Sequence, residues 1–289
     1  MTTPPVLPAE WGWRDLVWRS LAEDIGAGDV TSTLVIPASQ RGAAVIEARE
    51  RLRVCGLGVA KAVFAAVDPA LRFREDVQDG TDVVPGARLA TIAGPLRGIF
   101  AAERTALNFL GRLCGIASLT QRYVACVQGT GVHIVDTRKT LPGWRVLDKY
   151  AVAVGGGLNH RMGLFDGVLL KDNHVAATGG VTQAVKSALA AAPAHLRVQV
   201  EVESLEQAVA AVDAGADFLL LDNRSPAELR VIAERVRDRA ILEASGGITL
   251  QNLQEVAATG VHRVSIGALT HSAPSSNLAL ELLPGGVGR

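Results

Sequence analysis

The sequence lacks an excess of either charge, because 29 lysine and arginine residues balance 29 aspartate and glutamate residues. Proteins that bind nucleic acids or membrane surfaces usually carry an excess of one sign, so this balance argues against both classes. No apolar run approaches the roughly 18 to 20 residues that a membrane-spanning helix needs. The N-terminal stretch MTTPPVLPAEWGW has no basic segment followed by an apolar run. No signal peptide is therefore expected, and the expected location is cytoplasmic.

Cysteine is also scarce. The three cysteines, Cys55, Cys114 and Cys126, are odd in number, lack the spacing of metal ligands and have small apolar neighbours. These features predict buried free thiols in a reducing compartment, with neither a redox nor a catalytic role.

Lysine is rare among the basic residues, since only five of the 29 are lysine. Three of them, Lys139, Lys149 and Lys171, lie between Asp136 and His174. A lysine provides a compact, titratable ammonium that arginine does not mimic. The same stretch also holds several arginines and a run of three glycines. This concentration of cations and glycines predicts an anion-binding site between Asp136 and His174.

The first third of the chain mixes strand and helix patterns. Helices are predicted at 10–25, 59–67 and 101–127, and strands at 43–50, 52–59 and 71–77, with two more short strands before residue 95. These elements predict an α+β, sandwich-like domain over residues 1–108, which the segment 272–289 joins. The last residues, LLPGGVGR from Leu282, are expected to be disordered.

From residue 131 the pattern becomes strand, polar turn and helix, repeated. Six β-rich runs occupy 133–137, 167–171, 198–202, 218–222, 240–245 and 263–267. They recur every 20 to 35 residues or so and are mostly apolar throughout, which indicates a parallel sheet covered by helices. The chain is therefore predicted to be an α/β protein whose residues 109–271 form an incomplete or open (β/α) barrel.

In such barrels the chemistry takes place at the carboxyl ends of the strands. The residues at the predicted ends are Asp136, Thr137, Arg138, Lys139, Lys171, Glu201, Glu203, Asp222, Ser245, Gly246, Gly247, Ile266, Gly267 and Ala268. The last two ends are glycine-bearing turns before helices, where backbone N–H groups commonly bind phosphate. Together, the cations, the carboxylates and the phosphate-binding turns suit a phosphorylated sugar and an anionic co-substrate.

Each of these residues also has a purely structural interpretation. Lys171 could extend from its strand into solvent, and Asp222 could cap the following turn. Glu201 needs a partner if it is buried, and the lysines could provide one. Arg104, near the start of the long helix, is best explained from the residues alone as an ion pair with Glu103 or another neighbour.

Several longer motifs resemble one family. The segments EDIGAGDVTS, AERTALNFL, DTRKTLPGWRVLDKYAV, GGGLNHRMGL, LLKDNH, VEVES, LLLDN, EASGGI and SIGALTHS occur in this order between about residues 23 and 275. They are similar to quinolinate phosphoribosyltransferases. The resemblance implies a two-domain homodimer with an open-seamed barrel. It also implies an Mg²⁺-dependent reaction of quinolinate with phosphoribosyl pyrophosphate that gives nicotinate mononucleotide, CO₂ and pyrophosphate.

The resemblance also implies roles for individual residues. Substrate contacts fall on Thr137, Arg138, Lys139, His160, Arg161 and Lys171, with Arg104 contributed by the partner subunit. Glu201 and Asp222 match an acidic pair near the ribose and the metal. Ser245, Gly246 and Gly247, followed by Ile266, Gly267 and Ala268, match phosphate-binding turns. The residues expected to carry the catalysis are Lys139, Lys171, Glu201 and Asp222.

One departure from the family pattern is Asn277, where an aspartate is usual. Two other functions remain open from the sequence. One is an aldolase-like barrel that uses Lys171 to form a Schiff base. The other is a ligand-binding relative, associated with molybdenum transport, that does not turn over substrate.

Overall fold

The computed structural model describes residues 5–284. Its helices are α1 (Arg14–Ile25), α2 (Val30–Val35), α3 (Leu57–Val67), α4 (Leu96–Cys126), α5 (Arg145–Val154), α6 (Asp172–Ala177), α7 (Val181–Ala191), α8 (Leu205–Asp213), α9 (Pro226–Val236), α10 (Leu253–Ala257) and α11 (Ala268–His271). Its strands are β1 (Arg41–Ala48), β2 (Leu52–Arg53), β3 (Arg72–Glu75), β4 (Asp82–Val83), β5 (Arg88–Pro95), β6 (His133–Val135), β7 (Val168–Leu170), β8 (Val198–Val202), β9 (Phe218–Asp222), β10 (Ile241–Ser245), β11 (Arg263–Ser265) and β12 (Leu278–Leu282). Within the described range, no helix has the length and apolar character needed to cross a membrane.

The chain divides into two compact units. The first consists of the described parts of Met1–Gln121, Thr140–Gly156 and Leu269–Arg289, and the second of Arg122–Lys139 and Gly157–Ala268. The predicted domain boundary after residue 108 stays a prediction. The boundary between the compact units falls within α4, after Gln121, and α5 belongs to the first unit.

The first unit contains an antiparallel sheet with the strand order β12-β1-β5-β3, and a small β2-β4 pair. The edge strand β12 pairs with β1, so that Leu282 lies opposite Ala44 and Leu278 opposite Ala48. The expectation that disorder begins at Leu282 is therefore wrong for that residue, because it is held by a strand ladder. Residues 285–289 lie outside the described part of the chain.

The strand predicted at 52–59 is wrong beyond Arg53, because α3 already begins at Leu57. The backbone N–H groups of Gly56 and Leu57 donate to the carboxylate of Asp79, at 2.8 and 3.1 Å. A carboxylate satisfies the otherwise unpaired N–H groups at a helix start. This one comes from a distant loop, so the local pattern of residues 52–59 does not reveal it.

Two of the three cysteines are buried in the first unit. Burial raises the pKa of Cys114 to about 12, and it also raises the pKa of Cys55 well above its ordinary value. Such thiols are inert, because the thiolate is the reactive form. The predicted free, buried thiols are thus confirmed for these two, and Cys126 is a half-buried free thiol.

The second unit contains a six-stranded sheet with the order β6-β11-β10-β9-β8-β7, and every pair in it is parallel. Its strands are mostly apolar and buried, as expected for a sheet covered on both faces. Within residues 5–284 no ladder joins β6 to β7, so the barrel has an open seam. This confirms the predicted α/β fold with an incomplete or open barrel.

Candidate active site

The carboxyl ends of the six strands lie level along one edge of the sheet. The register aligns Ser265 with both Val135 and Ser245, and it aligns Ser245 with Asp222. On the other side, Leu221 lies opposite Val202, and Leu170 opposite Val200. The residues predicted at the strand ends therefore lie along a single edge of the sheet in the second unit.

An acidic and basic cluster occupies one part of this edge. The Nζ atom of Lys171 lies 3.9 Å from Oε2 of Glu201. Burial raises the pKa of Glu201, Lys171 partly opposes the increase, and the nearby carboxylate of Asp222 adds to it. The backbone N–H of Lys171 donates to Nδ1 of His174 at 2.9 Å, which fixes the start of α6. Glu201 therefore has the lysine partner that its burial requires.

The end of β9 continues into a turn that contacts β10. Asn223, which has a positive φ of 53°, donates its N–H to the carbonyl of Ser245 at 2.8 Å. The hydroxyl of Ser225, not the carboxylate of Asp222, accepts the N–H of Glu228 and caps α9. The carboxylate of Asp222 accepts the side-chain amide of Asn223 in this turn at 2.7 Å, and its charge also acts on Glu201.

The glycine turn after Ser245 is closely fitted on one side and open on the other. Gly246 has φ +91°, and a Cβ atom there would lie 2.1 Å from Oδ1 of Asn223. A Cβ atom on Gly247 would have no atom within 4 Å. Glycine is therefore required at Gly246 by a close neighbour, whereas Gly247 borders open space that a ligand can occupy.

Two arginines approach each other in the same unit. Burial lowers the pKa of Arg161, and the neighbouring charge of Arg138 lowers it further, while Asp166 opposes both effects. One guanidinium nitrogen of Arg161 donates to the carbonyl of Gly167 at 2.9 Å. Its Nε atom is buried without a hydrogen-bond partner among the described residues. An anion placed between the arginines would relieve their repulsion.

A cavity of about 530 Å³ includes Arg161, but not Arg138, in its lining. Its lining consists of Asn159, His160, Arg161, Met162, Asp166, Gly167, Val168, His195, Arg197, Gln199, Phe218 and Arg263. The volume is within the usual range for small-molecule sites. Of the predicted site residues, His160 and Arg161 line the cavity, whereas Lys171 and Glu201 lie outside its lining.

The other predicted residues of the second unit lie around the ends of β6 and β11. The hydroxyl of Thr137 accepts the N–H of Lys139 at 3.0 Å, and the Lys139 side chain is exposed. Ile266 is buried, and its N–H donates to the carbonyl of Val135 at 2.9 Å. After it, the short helix α11 begins at Ala268, directly after Gly267.

Arg104 lies exposed on α4 in the first unit. Burial raises the pKa of Glu103, and the charge of Arg104 partly opposes this. Within the described residues, no ion pair shorter than 4.0 Å joins the two side chains. The role of Arg104 across a subunit interface stays a prediction.

Sequence reasoning missed three polar residues of the second unit, Gln199, Glu243 and Arg263, whereas Asp136 was among the predicted strand ends. The carboxylate of Asp136 accepts the N–H of His160 at 2.8 Å and the side-chain amide of Asn159 at 2.6 Å. The period-two alternation of strands β8 and β10 could have revealed Gln199 and Glu243. It places them on the same faces as Glu201 and Ser245.

Two family models match consecutive parts of the chain. The model "Quinolinate phosphoribosyl transferase, N-terminal domain" matches residues 29–114, and "Quinolinate phosphoribosyl transferase, C-terminal domain" matches residues 116–281. Together they cover most of the sequence.

Individual proteins are also similar along nearly the whole chain. The nicotinate-nucleotide pyrophosphorylase [carboxylating] of Mycobacterium leprae is 42% identical over 275 residues, which are 93% of this chain and 96% of that protein. A probable enzyme of the same name from Bacillus subtilis is 39% identical over 269 residues, 93% of each chain. The crystal structure of NadC from Streptococcus pyogenes has a TM-score of 0.91 and 36% identity, covering 96% of this chain and 99% of that one.

Proposed function

The chain belongs to the quinolinate phosphoribosyltransferase family, and from this premise we propose that it transfers the phosphoribosyl group of phosphoribosyl pyrophosphate to quinolinate, with decarboxylation. The products are nicotinate mononucleotide, CO₂ and pyrophosphate, so the reaction makes a precursor of NAD. The observation that carries the proposal is the cluster of Lys171, Glu201 and Asp222 at the level edge of the open barrel.

Quinolinate carries two adjacent carboxylates, so its site needs more than one cation. Arg138 and Arg161 supply guanidinium groups that repel each other until an anion arrives, and the buried Nε of Arg161 supplies a donor for it. We assign Lys139 and Lys171 to the same ligand from their strand ends. This arrangement would hold the pyridine nitrogen toward C1 of the sugar.

The phosphoribosyl end has different requirements. The turn at Ser245, Gly246 and Gly247 has open space at Gly247 for a phosphate. The turn at Ile266 to Ala268, at the end of the neighbouring strand, is assigned the same role. Glu201 and Asp222 lie where two negative charges would offset the positive charge that develops on C1 as pyrophosphate leaves.

The chemistry then proceeds in two steps. The lone pair of the pyridine nitrogen forms a bond to C1 while the bond from C1 to the pyrophosphate oxygen breaks, and pyrophosphate carries away the electron pair. The quaternised ring then accepts the electrons of the bond to the adjacent carboxylate, which departs as CO₂, and a proton takes its place. The protein's contribution is to orient the reactants, compensate their charges and exclude water.

Mg²⁺ is the implied metal. No group of three or more histidine, cysteine, aspartate or glutamate residues able to hold a metal occurs within residues 5–284. Mg²⁺ is usually bound by one or two carboxylates together with substrate phosphates, and Glu201 and Asp222 fit that description. When bound, the ion supplies charge neutralisation for pyrophosphate. We propose that it enters with the substrate.

Two further properties complete the proposal. A homodimer in which Arg104 reaches the partner's site is supported by the exposure of Arg104 on α4. We also propose a cytoplasmic location. The Schiff-base aldolase and the transport-associated binding protein are not favoured, because the named relatives are pyrophosphorylases over nearly their full length.

The test is to mix the purified protein with quinolinate, phosphoribosyl pyrophosphate and Mg²⁺ and to measure nicotinate mononucleotide and CO₂. Equal amounts of both products are expected, with loss of turnover when Mg²⁺ is chelated. Quinolinate binding without any product would favour the binding protein instead. Trapping of a carbonyl substrate on Lys171 by borohydride would favour the aldolase.

A further inference from the structure

A chain of polar side chains crosses the interior of the second unit, away from the acidic cluster at the strand ends. Nε2 of His160 lies 3.0 Å from Oε1 of Gln199, whose amide nitrogen donates to Oε2 of Glu243 at 3.2 Å. The same Glu243 oxygen accepts from Nε of Arg263 at 2.5 Å. Glu243 is fully buried, and Gln199 is buried as well. The chain thus runs from the Arg161 neighbourhood to the start of β11.

The direction of the hydrogen bonds fixes the protonation of His160. The backbone N–H of Arg161 donates to Nδ1 of His160 at 2.8 Å, so Nδ1 carries a lone pair and no proton. Nε2 therefore carries the proton and donates it to the carbonyl oxygen of Gln199. The orientation of the Gln199 amide follows, because its nitrogen must then face Glu243. The neutral Nε2–H tautomer satisfies both of these ring hydrogen bonds.

Glu243 sets the direction of the hydrogen bonds from His160 through Gln199. A fully buried carboxylate needs charged or hydrogen-bonding partners, and Arg263 supplies the opposite charge. The guanidinium of Arg263 lies 4.1 Å from the ring centre of Phe218, which limits its movement. The second oxygen of Glu243, Oε1, has no hydrogen-bond partner within the described residues and lies 3.7 Å from Nε2 of His160. Both carboxylate oxygens thus favour a proton on Nε2.

We propose that Gln199 and Glu243 are positioning residues that act through His160 to hold Arg161 in place for the substrate carboxylate. Nδ1 of His160 accepts from the backbone N–H of Arg161 and Nε2 faces Gln199, so the ring of His160 links the backbone of Arg161 to the buried pair. The substrate class rests on the proposed function, whereas the tautomer and its partners do not.

The test uses the full-length protein and two readouts. The first is the ¹⁵N spectrum of labelled histidine, with the His160 signals assigned from a His160→Gln variant. The second is calorimetric titration with quinolinate, which reports binding without turnover. The wild type is expected to show the Nε2–H tautomer at His160. Gln199→Met, which keeps the length but removes both hydrogen bonds, is expected to mix the tautomers and to weaken quinolinate binding at least about tenfold.

Two variants separate positioning from general destabilisation. Glu243→Gln keeps the shape and an acceptor for the Gln199 amide, so it is expected to keep the tautomer and to restrict the loss of affinity to about threefold. Thr259→Val removes a different buried hydrogen bond of the same unit, the one from the Thr259 hydroxyl to the carbonyl of Val256 at 2.7 Å. It is expected to lower the melting temperature without changing quinolinate affinity.

Two results would overturn the proposal. One is an Nδ1–H or doubly protonated His160 in the wild type. The other is a Gln199→Met protein with unchanged His160 signals and unchanged quinolinate affinity. If the wild type makes no nicotinate mononucleotide, the proposed function fails, but the histidine spectrum still decides whether the tautomer is held.

Discussion

Lys171 and Glu201 approach each other across neighbouring parallel strands, with 3.9 Å between Nζ and Oε2. The lysine side chain is 53% exposed and the glutamate side chain 12% exposed. An ion pair at this distance, with one partner in solvent, stabilises the fold little. Lys171 can therefore turn toward an anionic ligand at small cost, while Glu201 keeps its place at the strand end.

Substitution of either lysine at the site should reduce catalysis. We expect Lys171→Ala and Lys139→Ala each to lower kcat/KM by at least about 100-fold, equivalent to about 3 kcal/mol of transition-state stabilisation. Lys186→Ala, at an exposed position on α7, is the matched control and should leave kcat/KM unchanged. Near-normal turnover in both site variants would contradict the assigned roles.

Removing the charge of Glu201 should stabilise the protein while reducing activity. Because the folded-state pKa of Glu201 is raised above its ordinary value of 4.5, the folded state holds the proton more tightly than the unfolded state. The stability from this group is complete below 4.5 and is lost as the pH rises through the raised value. Above pH 4.5, Glu201→Gln should therefore have a higher melting temperature than the wild type. Its kcat should be lower by at least about tenfold.

The control for this experiment is Glu203→Gln, two residues on and exposed. It should show no comparable gain in melting temperature. If Glu201→Gln is less stable than the wild type at neutral pH, the charge of Glu201 does not destabilise the folded state.

The two glycines after Ser245 should differ in their tolerance of alanine. At both, positive φ strains an L residue by about 1 kcal/mol. At Gly246 the new Cβ would also displace Asn223, which ties β9 to β10. Gly246→Ala should therefore lower the melting temperature more than Gly247→Ala. Gly247→Ala should mainly raise the KM for phosphoribosyl pyrophosphate. Equal stability losses would show that the contact with Asn223 is unimportant.

Arg104 should act on the partner subunit's site. Arg104→Ala and Lys171→Ala should each be nearly inactive alone. When the two are mixed and re-formed as dimers, half of the dimers contain both chains, and one of the two sites in each mixed dimer is intact. Activity should return to about a quarter of the wild-type value. No recovery, although dimers have exchanged, would place Arg104 in its own subunit's site, and an active Arg104→Ala protein would place it outside the mechanism.

His262 should make the fold sensitive to acid. Burial lowers the pKa of His262, and the charge of Arg237 lowers it further, against a smaller opposite effect of Asp238. Its Nδ1 accepts the N–H of Leu242 at 3.0 Å. The stability from the neutral ring is complete above its ordinary value of 6.5 and is lost as the pH falls through the lowered value.

A His262→Asn variant keeps an acceptor for Leu242 without the titrating ring. Its unfolding free energy should fall less than that of the wild type between about pH 7.5 and pH 5. His271→Asn, at an exposed position, provides the control. Parallel curves for His262→Asn and the wild type would exclude His262 as a source of acid sensitivity.

The sequence alone predicts the features that short local patterns encode. The parallel strands and their level ends follow from apolar runs at regular spacing, and the start of α9 is a local feature too, with Ser225 as its cap and Pro226 as its first residue. Features that depend on distant partners were missed. Asp79 caps α3 from a distant loop, and β12 gains its structure only by pairing with β1.

The hydrogen bonds of Gln199 and Glu243 could not be predicted for the same reason, since they too depend on distant partners. Gln199 and Glu243 lie in runs that predict strands correctly, but their pairing depends on how closely β8 and β10 approach across β9 and on the loop that brings His160 to them. No local pattern contains this information. The charged strand ends were easier to predict, since each follows directly from the end of its own strand.

The pairing of β12 with β1 has a consequence for biosynthesis. The ribosome releases β1 early, but its edge partner emerges only after all the barrel strands have been made. Until then one edge of the first sheet exposes unpaired backbone groups and is a template for association with other nascent chains. Chaperone demand during translation should therefore be greatest before Leu278 leaves the exit tunnel.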